Sequence, residues 1–102
     1  MPVSLQVIYP DADDSSFDHD YYAQTHMALV KEHWGPFIDT ALVTKGIAGA
    51  PGQPAPYHAI ASITFADMDA MKAAMKAGGP VLADVPNFTN IQPQTLVGEV
   101  VG

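Results

Sequence analysis

"YHAIASITFADMDAMKAAMKAG", residues 57–78, carries two periodicities back to back. Over Tyr57–Phe65, the side chains of Tyr57, Ala59, Ala61, Ile63 and Phe65 alternate with those of His58, Ile60, Ser62 and Thr64. That period of two belongs to a strand whose two faces differ. From Ala66 onward the composition turns to Ala, Met and Lys. Asp67 and Asp69 fall in a first turn, Lys72 and Lys76 fall later, and Gly78–Gly79 close the run. Acids early and bases late complement the dipole of a helix, and glycine ends it. Outward toward the N-terminus the same order recurs. Val3–Tyr9 alternates as a strand that Pro10 stops, "DADDSS" offers caps and early acids, and a helix runs from about Phe17 to Trp34. Gly35–Pro36 ends that helix, Ile38–Ala48 reads as a second strand, and "GAPGQPAP" is a loop. Beyond residue 78, "PVLADVPNFTNIQP" reads as a turn leading into a last strand, Gln94–Val101.

The order β-α-β-β-α-β predicts an α+β, ferredoxin-like fold: a four-stranded antiparallel sheet with two helices on one face, in a single domain over residues 1–102. Ile8, Leu42, Ile60 and Leu96 lie out of phase with Leu5, Val7, Ile63 and Val97, so both sheet faces carry apolar residues. An uncovered apolar face needs a partner. Two such sheets packed face to face make a dimeric α+β barrel, so a homodimer through the open sheet face is expected. An apolar share of 48% against 15% charged residues points the same way.

The formal net charge is −7, from four lysines, no arginine and eleven acids. Such a surface repels nucleic acid and anionic membranes. The chain has no cysteine, which removes disulfides, thiolate nucleophiles and Cys-ligated metal. It has neither a membrane-spanning apolar run nor a basic–apolar leader pattern, so a cytoplasmic protein is expected.

Three of the four histidines, His19, His26 and His33, recur every seven residues in the first helix. At roughly 100° per residue they fall within the apolar stripe that packs on the sheet. Seven residues is two turns, about 10 Å, so successive rings cannot share one metal ion. His19 reads as a helix-start residue and His33 as a dipole partner in the last turn. His26 is mid-helix, where a buried ring needs a hydrogen-bond partner. Tyr22 lies one turn before it and can cover it. A phenol beside an imidazole in a partly apolar pocket can act as an acid–base pair, or hold a carbonyl or phenol ligand. His58 is out of phase with Tyr57 and Ala59 and is expected on the opposite sheet face from them.

"FDHDYYAQTHMALVKEHWG" together with "DVPNFTNIQPQTLVGEV" resembles the EthD family, the ethyl tert-butyl ether degradation proteins. The residues that carry it are Phe17, Tyr21, Tyr22, His26 and Leu29, then Asp84, Pro86, Asn87, Phe88 and Pro93. Ala28 stands where the family commonly has proline. The resemblance implies a dimeric α+β barrel and a place in the degradation of ethers or other xenobiotic or aromatic molecules, beside a cytochrome P450-type system.

Two functional readings stay open. In one, the protein is an enzyme without metal or cofactor: an oxidoreductase, isomerase or dehydratase acting on a small apolar molecule. His26 serves as general acid or base, Tyr22 is its hydrogen-bond partner, and Trp34, Asp84, Asn87 and Phe88 bind substrate. In the other, it is a non-catalytic binding or accessory protein of an oxidising system. Haem is disfavoured because no arginine is present to meet its propionates.

Overall fold

The computed structural model describes residues 2–102. β1 (Val3–Pro10), β2 (Thr40–Lys45), β3 (Tyr57–Phe65) and β4 (Gln94–Glu99) form one antiparallel sheet in the order β2-β3-β1-β4. α1 is a continuous helix over residues 19–34. It is α-helical at His19–Tyr21, π-helical at Tyr22–His26 and α-helical again at Met27–Trp34. α2 covers Met68–Ala77, and a short α3 covers Gly79–Ala83. Both long helices begin where the sequence supplies an acceptor. Asp18 Oδ1 takes the Tyr21 N–H at 3.0 Å, and Asp67 Oδ1 takes that of Ala70 at 2.8 Å.

The ferredoxin-like α+β fold is the one expected, with differences of detail, and β4 ends at Glu99 rather than Val101. β2 is shorter than Ile38–Ala48. Phe17 lies outside the helix and makes an isolated bridge with Thr89 instead. The stretch after Gly78 is more than a turn: α3 is followed by a 3-10 turn at Val85–Asn87, with Pro80 and Pro86 at positions where their missing N–H costs nothing. Among the described residues no helix is long and apolar enough to cross a membrane.

Register places Leu5 beside Ile63 and Val97, and Val7 beside Ala61 and Thr95, on the helix-covered face. The core there has two parts. An aliphatic part joins Val3, Leu5, Ile63 and Phe65 to Val30, Trp34, Met71, Ala74 and Val81. An aromatic part joins Tyr9, Tyr22, Ala59 and Phe88. Full burial of each large apolar side chain contributes about 1.5–3 kcal/mol. The opposite face is mixed. Leu42 and Leu96 are 67% and 59% exposed, while Ser62 Oγ donates to Gln6 Oε1 between them at 2.9 Å.

His58 is on the other side from the one expected. Tyr9 pairs with Ala59 but Pro10 pairs with Tyr57, so His58 is left over in a bulge. A bulge re-aims the extra side chain. The His58 ring turns to the helix side, stacks on Phe17 with centroids 5.7 Å apart, and brings Nε2 within 2.9 Å of Ser15 Oγ.

One close approach makes its own prediction. A Cβ at Gly78 would meet the buried Trp34 ring at 2.7 Å from Nε1 and 2.9 Å from Cζ2. The Gly78→Ala variant is expected to lose about 1–3 kcal/mol of stability through overpacking. Urea denaturation followed by Trp34 fluorescence measures it; an unchanged midpoint would show that the ring moves freely.

Candidate active site

His26 is buried in the last residue of the π-helical segment, and Asp84 is buried between α3 and the 3-10 turn. His26 Nδ1 lies 3.0 Å from Asp84 Oδ2. The other carboxylate oxygen, Oδ1, accepts from the Tyr21 hydroxyl at 2.7 Å and from Asn87 Nδ2 at 2.9 Å. The carboxylate thus has three side-chain donors. Burial alone would raise the Asp84 pKa, but Asn87, Tyr21 and His26 together hold it below the ordinary carboxylate range. An ionised carboxylate only accepts, so Nδ1 of His26 must carry a hydrogen. In the neutral ring that leaves a lone pair on Nε2, which makes no hydrogen bond to another described residue. Burial pushes the His26 pKa below its ordinary 6.5, against the upward pull of Asp84, so the ring is neutral at pH 7.

His26 lines a cavity of about 190 Å³ between the helices and the sheet. Leu5, Val7, Ala61 and Ile63 form its floor. Val30 and Trp34 of α1 flank it, and Thr95 and Val97 of β4 close one side. Met75, Leu82 and Val97 are partly exposed and mark its mouth. Tyr22 stacks on His26 at 5.2 Å and 26°, and Phe88 packs against the other rings at 4.6 Å from His26 and 5.1 Å from Tyr22. Burial pushes the Tyr22 phenol up to about 12, partly offset by the Tyr9 hydroxyl beside it. Tyr22 is therefore a neutral wall at physiological pH.

The six residues singled out from sequence come together, but not in the roles foreseen for all of them. Trp34, Tyr22 and His26 line the cavity. Asp84 and Asn87 lie behind His26 rather than against the cavity, and Phe88 packs on its ring. The partner of His26 is Asp84, while Tyr22 covers the ring by stacking. Tyr21 and Thr95 were missed. Tyr21 had a signal in the Tyr21–Tyr22 pair, whereas Thr95 reads only as an ordinary strand residue. Among the described residues, no group of three or more histidines and carboxylates is arranged to hold a metal ion.

Comparison with known proteins follows these same segments. The EthD domain matches residues 10–92. The chain belongs to the EthD family. This EthD chain is similar in structure to an EthD-like protein from Ralstonia eutropha JMP134, at 34% identity and a TM-score of 0.90 over 99% of this chain and 93% of that one. It is similar to an ethyl tert-butyl ether degradation family protein from Bacillus halodurans C-125, at 21% identity and a TM-score of 0.79 over 99% and 100%. A dimeric ferredoxin-like protein of unknown function from Thermobifida fusca YX shares the fold at 12% identity and a TM-score of 0.67 over 98% and 92%. Among curated proteins none matches the chain.

The His26–Asp84 pair makes stability fall with acid in two stages. His26 has its pKa lowered by folding, so the unfolded chain binds its proton first and stability declines as pH drops below about 6.5. Asp84 is also lowered, so its contribution is present above about 3.9 and is lost as pH falls through its folded value. Asp84→Asn removes the charge that pulls the His26 pKa up. NMR titration of His26 is expected to show a value under 6.5 in the native protein and a lower one in Asp84→Asn; an unmoved His26 would mean that the carboxylate does not act on the ring.

Proposed function

We propose that this protein is a proton-transfer enzyme acting on a small, uncharged molecule in a degradation pathway, with His26 as its general base. The observation that carries this reading is the Asp84-paired imidazole, 4% exposed, whose unbonded Nε2 belongs to a ring lining an apolar cavity. A neutral Nε2 takes a proton from an acidic C–H or O–H of the substrate. The imidazolium so formed is stabilised by the Asp84 carboxylate 3.0 Å from Nδ1. Asp84 is a positioning residue: it fixes the tautomer and ring plane while touching no substrate. Tyr22 stacks on the ring and keeps water from its face.

A simple carbon acid tests the base. Cyclohexanone in D₂O should exchange its α-protons faster with the native protein than with His26→Ala, by about 10²-fold or more. The rate, read by proton NMR, should rise with pH through the lowered His26 pKa and be flat near neutrality. Equal exchange by the two proteins, with cyclohexanone bound by both, would favour a carrier role over catalysis.

We further propose that the working unit is a homodimer with the open sheet faces packed together, as the exposed Leu42 and Leu96 suggest. Sedimentation of the native protein as a monomer at micromolar concentration would contradict this. A double Leu42→Lys, Leu96→Lys variant is expected to sediment as a monomer with its helical circular dichroism intact.

A further inference from the structure

The cavity restricts ligands by size, charge and hydrogen-bond polarity. Its volume is about 190 Å³. A cavity of about 150 Å³ holds benzene, so this one has room for a single six-membered ring with one or two small groups. The lining offers no cation: Lys31, Lys45, Lys72 and Lys76 are all exposed and none lines it. The nearest fixed charge behind the wall is the Asp84 carboxylate. An anionic ligand would lose its hydration, gain no partner and meet a like charge. Nδ1–H of His26 is committed to Asp84, so Nε2 can only accept. The ligand must bring the donor. Apart from the Thr95 hydroxyl on the β4 side, the remaining walls are aliphatic or thioether side chains and the aromatic rings of Tyr9, Tyr22 and Trp34, which favour a flat apolar body.

We propose that the cavity is a binding site for uncharged one-ring phenols, seated with the phenol O–H donating to His26 Nε2. The proposal rests on the reading of His26 as a neutral acceptor, and it adds the ligand class. It selects against the matching arene, which has no donor, and against the matching carboxylate, which is charged.

Whole protein with nitrogen-15-labelled histidines can be titrated with 4-methylphenol, toluene and 4-methylbenzoate. The expected result is that 4-methylphenol binds about tenfold more tightly than toluene, the worth of one hydrogen bond. It should also shift the His26 Nε2 resonance, and 4-methylbenzoate should bind more weakly than toluene. His26→Phe should erase the preference for the phenol while toluene still binds, and toluene binding also reports that the variant is folded. Equal binding of phenol and toluene to the native protein overturns the proposal, as does a benzoate affinity matching that of the phenol. The native-protein comparison and the Nε2 shift decide the matter whatever the variant's stability. If the phenol preference fails but His26 still drives ketone exchange, the base stands and the ligand class falls. If both fail, neither reading survives.

Discussion

A carboxylate that is only 7% exposed must find hydrogen-bond donors within the protein, and Asp84 takes them from two places. Tyr21 and His26 come from α1, 63 and 58 positions away in sequence; Asn87 comes from its own turn. Leaving such a group unpaired costs several kcal/mol, so α1 and the segment after α3 are bound to one another wherever the fold forms. Two further hydrogen bonds run beside this network. The Asp18 N–H reaches Phe88 O at 2.8 Å, and Thr89 Oγ1 donates to Ser16 O at 2.6 Å. The same carboxylate fixes the imidazole tautomer, so the requirement that closes the fold also sets which ring nitrogen carries the hydrogen.

The π-helical turn shapes how the first helix meets the sheet. Tyr22, His26, Val30 and Trp34 are all buried, at successive intervals of four. In an unbroken α-helix each such step drifts by about 40°, so the last residue would leave the face set by the first. The wider turn over Tyr22–His26 rewinds part of that drift. One face then holds two aromatic rings, the imidazole and a valine in a row.

Strand order and faces were legible because the alternation in β1 and β3 is unbroken and each helix has its cap, its acids and its stop in sequence. His26 and Tyr22 were legible as a stacked pair from their spacing alone. The π turn was not, since no residue type in "YAQTH" announces it. Neither was the face of His58, because a bulge reverses parity and alternation carries no mark of one. The partnership of His26 with Asp84 joins groups 58 residues apart. Helix spacing brought His26 into the candidate set and the resemblance to the EthD family brought Asp84, but only the packing of α3 against α1 could show that the acid stands behind the imidazole.

The mouth of the cavity sets a different kind of freedom. Met75, Leu82 and Val97, at 38%, 60% and 49% exposed, edge the opening yet take no part in the Asp84 network. Substitutions at such positions cost little stability, whereas those in the network disturb several bonds at once. Change can therefore accumulate at the rim and reshape the opening, while the Asp84-paired imidazole at the back stays as it is. The shape of the entrance is thus free to vary without disturbing the bonds that hold the imidazole.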